Sequence, residues 1–260
     1  MELLNVKVTN ASEKQEQEYI SVTLDGVEQK FWLHDYDSIY KIPGLYEKIF
    51  VDLFDGTSHE LIPKLMLEQA AKQSLDISTL NVLDFGAGVG LIGQYLQQNG
   101  VTNIFGIDIT ESAKNATERD RPNVYKNYMV SDLIESTKKS DVFFKRANAN
   151  CLICVSSLNV IPAIAFTNVF NAIKPQGIIA LNIVEGAMSD EPEYDVGSNK
   201  LVKYLIDTNA ISLKLSKVYQ HRFSSTGKPI NYMAIVANKQ RTIEVDEAKC
   251  FERRIWRKEA

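Results

Sequence analysis

Asp84, Gly86, Gly88 and Gly90 alternate in Asn81-Val-Leu-Asp-Phe-Gly-Ala-Gly-Val-Gly-Leu-Ile-Gly-Gln-Tyr-Leu96, and this spacing carries the clearest chemistry of the chain. Three glycines in five residues weaken any regular element, so they belong where backbone turns tightly or approaches a ligand closely. Ahead of them Val82, Leu83 and Phe85 surround Asp84 as a short apolar run suited to a buried parallel strand. Behind them Leu91, Ile92, Tyr95 and Leu96 recur at helical spacing. The unit reads as strand, glycine turn, helix, and the free N–H groups and partial positive charge of the helix face whatever occupies the turn. A second acid, Asp108, ends the buried strand Asn103-Ile-Phe-Gly-Ile-Asp108-Ile. An acid there can accept two hydrogen bonds from ribose hydroxyls.

Two ligand classes use such a turn. Gly88-Val-Gly90-Leu-Ile-Gly93 is a literal G-x-G-x-x-G, the dinucleotide fingerprint. In that fingerprint the first glycine follows the strand directly, whereas here Gly86 and Ala87 intervene. From Asp84 onward, the run Asp-x-Gly-x-Gly-x-Gly resembles motif I of the class I S-adenosylmethionine (SAM) dependent methyltransferases. The acid discriminates between the two: at the mouth of the turn it would repel a pyrophosphate and attract a sulfonium and an ammonium. Charge-assisted hydrogen bonds contribute roughly 1.5–3 kcal/mol each, enough to choose between ligands.

The resemblance runs from Asn81 to Asn238. It implies SAM as cofactor, with Asp84, Phe85, Gly86, Ala87, Gly88, Gly90 and Leu91 forming the turn around it. It further implies Asp108 and Ile109 at the ribose, Asp132 accepting from the adenine amino group with Leu133 against the ring, and Ser156 beyond the fourth strand. The implied fold is an α/β, Rossmann-like doubly wound sheet of seven strands, order 3-2-1-4-5-7-6, last strand antiparallel. The succession of helix, Lys174-Pro-Gln-Gly177 and strand is similar to the small-molecule branches and the Williams–Beuren-region methyltransferase-like group. The chain has no Asn/Asp-Pro-Pro-Tyr/Phe motif for planar amines and no Pro-Cys or Thr-Cys nucleophile for cytosine chemistry. A non-catalytic SAM-binding partner or chaperone, and an NAD-dependent oxidoreductase, stand as the alternatives.

The elements that must position these residues divide the chain into residues 1–58, a hairpin and lid segment; 59–240, the SAM-binding domain; and 241–260, a charged tail. Tyr19–Leu24 and Val27–Leu33 read as strands joined by a tight Asp25-Gly26 turn, preceded by a polar, exposed Glu13–Glu18. The aromatic stretch from His34 to Phe54 is broken at Pro43-Gly44. Many small-molecule methyltransferases carry a Tyr-Asp-containing lid here, so the resemblance implies that role for Tyr36, Asp37 and Tyr40, with Tyr46 beside them; aromatic packing of an N-terminal helix is the alternative. Residues 58–71 form an amphipathic helix, and Thr110 caps the helix after Asp108. Residues 125–130 give the third strand and 150–155 the fourth. A helix over 163–173 leads to the fifth strand, 177–185, followed by a loop bearing Asp190, Glu191, Glu193 and Asp195. Ser198 caps a helix reaching Thr208. Residues 211–219 and 230–238 are two terminal strands without a helix between them, where a dehydrogenase would add a further β-α unit. Residues 241–260 are expected to form a docked or dimer-contacting helix, making a homodimer a candidate state.

Methyl transfer from SAM is an in-line displacement with a good leaving group, so positioning supplies most of the acceleration. A base is needed only when the acceptor must lose a proton. The chain has three histidines, His34, His59 and His221. Glu185, at the end of the fifth strand, and His221 are the candidates nearest the acceptor; no residue is assigned as catalytic. Cys151-Leu-Ile-Cys154 has metal-site spacing but reads as a buried strand with no second ligand pair, so no metal is expected.

Composition sets the outer bounds. The 260 residues are 45% hydrophobic and 24% charged with net charge −4, and a pI near 5.5 argues against nucleic acid as partner. No apolar run approaches a membrane span. Three cysteines without a secreted pattern point to a reducing, cytoplasmic setting, and the family resemblance implies a small-molecule substrate as partner.

Overall fold

The computed structural model describes residues 5–12, 17–189 and 197–251. Glu13, the acids Asp190, Glu191, Glu193 and Asp195, and the end of the tail lie outside the described residues. The N-terminal part is a three-stranded antiparallel sheet, β1 (Asn5–Asn10), β2 (Tyr19–Leu24) and β3 (Val27–Trp32), in the order β1-β2-β3. Asp25 and Gly26 both take positive φ, 51° and 77°. This is the mirror-image turn whose twist suits a two-residue hairpin. The expected hairpin is thus part of a larger sheet: β1, whose only apolar residues are Val6 and Val8, sets these against Val22 and Ile20 of β2. Alone it is too polar to announce itself.

A short helix α1 (Tyr36–Tyr40) follows, then α2 (Leu45–Glu47), which runs into a π-helical turn, Lys48–Leu53. Gly44 between them has φ 72°, the left-handed bend that the Pro43-Gly44 break predicts. Ile39, Leu45, Ile49, Phe50 and Phe54 bury against Ile20, Val22 and Leu33, so the N-terminal sheet and the short helices that follow it share one apolar core.

Helix α3 (Ser58–Lys72) delivers the chain to β4 (Asn81–Phe85), and then α4 (Leu91–Gln98), β5 (Asn103–Asp108), α5 (Glu111–Asp120), β6 (Asn127–Val130) and α6 (Lys138–Ala147) alternate. β7 (Cys151–Cys154), α7 (Ala163–Asn171), β8 (Ile178–Val184), α8 (Gly197–Asp207), β9 (Ile211–Phe223), β10 (Pro229–Lys239) and α9 (Val245–Lys249) complete the order. The large sheet runs β6-β5-β4-β7-β8-β10-β9. Counted from the strand before the glycine turn this is 3-2-1-4-5-7-6, and the last strand is antiparallel to both neighbours. The implied doubly wound fold is therefore the observed one.

Adjacent residues of the buried strands serve opposite faces. Val82 packs with Ile62, Met66, Ile92 and Leu96 beneath α3 and α4, while Leu83 packs with Phe143, Phe166 and Phe170 beneath α6 and α7. The tail docks on its own chain, since Ala248 of α9 is buried and Phe251 meets the Tyr204 ring at 5.3 Å. Several boundaries shift for identifiable reasons. The third core strand starts at Asn127 because the preceding Tyr125 turns its hydroxyl to Asp84 at 2.6 Å. Helix α7 ends at Asn171, where the buried Lys239 ammonium collects the carbonyls of Phe170, Asn171 and Ile173 at 2.9, 3.0 and 2.6 Å. Ser198 lies inside α8, not ahead of it. Among the described residues no helix is long and apolar enough to cross a membrane, and no cluster of His, Cys, Asp or Glu forms a metal site.

Candidate functional site

The carboxyl ends of β4, β5, β6 and β7 form one edge of the sheet, the edge where open α/β folds bind ligands. Between β4 and α4 the chain turns through Gly86, Gly88 and Gly90 at φ 78°, 52° and 87°. A side chain at Gly86 would strike the Ser157 hydroxyl at 2.3 Å, and one at Gly90 would press on Thr117 at 3.1 Å. Space and backbone conformation both demand glycine at these positions.

Asp108, at the end of β5, anchors this turn. Its Oδ2 accepts the Gly88 N–H at 3.0 Å, while Oδ1 accepts the Thr110 N–H at 3.0 Å and the Thr110 hydroxyl at 3.1 Å. Thr110 caps α5 as expected, accepting from the Ala113 N–H. Beside Asp108 the apolar Ile109 is 66% exposed. Asp132, just beyond β6, is also exposed, and its Oδ1 accepts the Ile134 N–H at 3.3 Å. Leu133 is 1% exposed with φ 56° and faces the core. The fold thus brings Asp108, Ile109 and Asp132 to one edge as two acids flanking an open apolar surface.

Asp84 lies beneath the turn and not at its mouth: it is 1% exposed and accepts from the Tyr125 hydroxyl. Burial pushes its carboxyl up to about 7, against the opposing effect of that hydrogen bond. The neighbouring Phe85 and Ala87 are buried, and Leu91 opens α4.

Aromatic residues of the N-terminal segment cover the turn. The Tyr40 hydroxyl reaches the space over Gly88, at 3.1 Å from where a Cβ would stand, and Tyr128 donates to the Gly88 carbonyl at 3.0 Å. Tyr36 stacks on Tyr40 at 6.1 Å between ring centres, and Tyr46 meets Tyr40 at 5.6 Å. Two arginines tie this segment down. Arg119 donates to the Tyr40 and Lys41 carbonyls, both at 3.2 Å. Arg121 pairs with Glu47 while also holding Gln94 at 2.9 Å and the Val89 carbonyl at 3.1 Å. Neither arginine is distinguishable in the sequence, because both partners come from the distant N-terminal segment.

On the far side of the turn, Ser156 takes φ 61° after β7, and its N–H donates to Asn182 Oδ1 at 2.7 Å. Asn182 is buried in the middle of β8, a lone amide among Ile, Ala, Leu and Val. Its Nδ2 donates to the Tyr219 hydroxyl at 2.8 Å; that hydroxyl lies 2.6 Å from Ser58 Oγ, itself 2.6 Å from His221 Nδ1. The protons can be placed by satisfying every group. Tyr219 accepts from Asn182 and donates to Ser58, and Ser58 donates to His221, leaving His221 with its proton on Nε2. Burial first, and the Arg222 charge second, push the His221 imidazole down to about 3, so it stays neutral. Of this chain the sequence points to Ser156 and His221 only; the lone Asn182 inside an apolar strand is the visible signal of the rest. Glu185 is exposed just past β8, and nothing in the geometry joins it to the chain. Cys151 and Cys154 are buried free thiols, each pushed up to about 12 by burial, as core packing requires.

Comparison with known proteins gives the class. Residues 83–181 match the family model described as a methyltransferase domain. No curated protein matches the chain. Among solved structures, it is similar to the magnesium protoporphyrin IX methyltransferase from Synechocystis PCC 6803 with bound SAM, at 15% identity over 70% of this chain and 79% of that one, TM-score 0.50. It is also similar to an S-adenosylmethionine-dependent methyltransferase from Clostridium acetobutylicum, at 11% identity over 76% and 97% of the two chains, TM-score 0.51. The fold is that of the class I SAM-dependent methyltransferases, and residues 83–181 carry the sequence of a methyltransferase domain.

Proposed function

We propose that this chain is a SAM-dependent methyltransferase that moves the methyl group in line to a small-molecule acceptor, in the small-molecule or Williams–Beuren-region-like branch. The observation that carries the reading is the Gly86–Gly90 turn anchored by Asp108, with exposed Ile109 and Asp132 alongside. These residues fit the cofactor's parts: two acids with spare lone pairs for a ribose hydroxyl and the adenine amino group, and an open apolar surface for the adenine ring. The covered turn is where the methionine portion would lie. SAM supplies the electrophilic methyl group. The chain's own part is to orient the acceptor and exclude water, which the Tyr36, Tyr40 and Tyr46 cover does when it closes. In this reading residues 59–240 bind the cofactor, residues 1–58 supply the cover, and the setting is cytoplasmic. The intact lid and the ordered Ser156–His221 chain favour catalysis over a non-catalytic SAM-binding partner.

The test is incubation with methyl-labelled SAM and pooled amines, phenols, thiols and carboxylic acids. Label should appear in one small-molecule product with equal release of S-adenosylhomocysteine (SAH). Cofactor binding without label in any product would contradict catalysis on small molecules.

A further inference from the structure

Arg222 is the unexplained charge of the acceptor side. It lies near the end of β9, whose partner residues on β10 and β8 place it level with the carboxyl ends of the parallel strands. The residue is 6% exposed. Its guanidinium carbon lies over the Phe54 ring at 5.4 Å and the Phe50 ring at 5.9 Å. Of its five N–H bonds, one donor, Nη1, reaches a protein acceptor, the Phe223 carbonyl at 2.8 Å. Among the described residues no carboxylate stands within ion-pair reach of it. Burying a cation without a counter-ion costs several kcal/mol, and ring faces return only part of that.

The acid best placed to neutralise it is engaged elsewhere. Glu18 is 4% exposed; its Oε2 pairs with His34 Nε2 at 3.0 Å and its Oε1 accepts from the Ser225 hydroxyl at 2.5 Å. Glu18 feels the Arg222 charge across space without bonding to it, and the other groups facing Arg222 are neutral: Tyr36 and Tyr46 from the N-terminal segment, and His221 and Tyr232 from the hairpin. Burial pushes the Tyr36 phenol up to about 12 in spite of the Arg222 charge. The His221 ring lies on Tyr232 at 4.3 Å. With Nδ1 turned to Ser58, its protonated Nε2 points to the other side of the ring, where no described residue accepts from it.

We propose that Arg222 is the anion receptor of the acceptor subsite, that the acceptor is a flat carboxylate-bearing molecule, and that His221 Nε2–H is its second donor. The planar guanidinium fork matches a carboxylate in two parallel hydrogen bonds. The surrounding Tyr36, Tyr46, Phe50 and Tyr232 rings suit a flat, unsaturated body more than a compact phosphate. This inference concerns the acceptor of the proposed methyl transfer and so rests on that reading, and the experiment separates the two.

Full-length protein saturated with SAH is titrated by calorimetry with benzoate, with its neutral isostere benzamide and with inorganic phosphate. Benzoate should bind saturably and at least tenfold more tightly than either of the others. Arg222→Met should weaken benzoate at least tenfold while SAH affinity stays within twofold, and Arg222→Lys should fall between. Equal affinity for benzoate and benzamide, no benzoate binding, or tighter phosphate binding overturns the proposal, as does undiminished benzoate binding by Arg222→Met. Should Arg222→Met fail to fold, the benzoate–benzamide ratio of the unaltered protein and the Arg222→Lys titration decide. If SAH itself does not bind, the methyltransferase reading fails, while the same ratio measured without SAH still reports the anion site.

Discussion

Replacing Asp108 with alanine tests the proposed link between the glycine turn and the cofactor. Oδ1 accepts both donors of Thr110 and Oδ2 the Gly88 N–H, at 3.0–3.1 Å, and Oδ2 retains a lone pair toward a ribose hydroxyl. Hydrogen bonds to a charged group contribute about 1.5–3 kcal/mol. Loss of the ribose contact should therefore weaken SAH by roughly tenfold to a hundredfold. The half-exposed Thr110 donors can turn partly to water while the buried Gly88 N–H loses its acceptor, so the fold itself should lose about 1–3 kcal/mol and stay folded at room temperature. Asp108→Asn, which keeps one acceptor oxygen and sets an amide against a backbone donor, should fall between. Calorimetric titration with SAH and urea unfolding of the same samples measure the two effects separately. A folded Asp108→Ala protein that binds SAH as tightly as the unaltered chain would refute the reasoning.

Other parts of the fold respond in their own ways. A carboxyl raised from 3.8 to about 7 binds its proton more tightly when folded, so the contribution of Asp84 is full below about pH 4 and lost as pH rises through 7. Unfolding free energy should fall between about pH 4 and 7 by up to about 4 kcal/mol from this group, and Asp84→Asn should flatten that slope; an unchanged slope in urea titrations would contradict the assignment. Lys239→Met strands three carbonyls at the end of α7, and thermal unfolding should report a loss of about 2–4 kcal/mol; a loss below about 1 kcal/mol would mean that water replaces the ammonium. Residues 36–46 should gain hydrogen-exchange protection with SAH together with the glycine turn, and protection of the turn alone would mark the aromatics as static packing.

What the sequence disclosed divides by the range of the interactions. The strand–turn–helix around Gly86–Gly90 and the Asp25-Gly26 hairpin turn are local, set by φ angles and periodicity within a few residues, and both are present. The sheet order followed from the resemblance together with the absence of a helix between β9 and β10. Segment β1 was invisible because its two valines acquire meaning only opposite Ile20 and Val22. Helix α6 is not legible from its sequence pattern, because its start rests on the reciprocal cap between Thr137 and Ser140, which two hydroxyls do not announce. Asp108 was legible as an acid at a strand end, a position that the strand pattern alone fixes. The site was illegible where function is shared over distance: Asp84 with Tyr125, Arg121 with Glu47, and Asn182 linking Ser156 through Tyr219 and Ser58 to His221. The environment of Asp84 shows the difference most plainly, since its residue type promised a charge at the mouth and its burial beneath the turn gives a carboxyl near neutrality.

The central claim is that the turn after β4 is built for SAM and not for a dinucleotide. One calorimetric experiment addresses it, titrating the full chain with SAH and, separately, with NAD. SAH should bind at one site in the micromolar range and NAD should give no saturable heat. Saturable NAD binding with no heat from SAH would contradict the account.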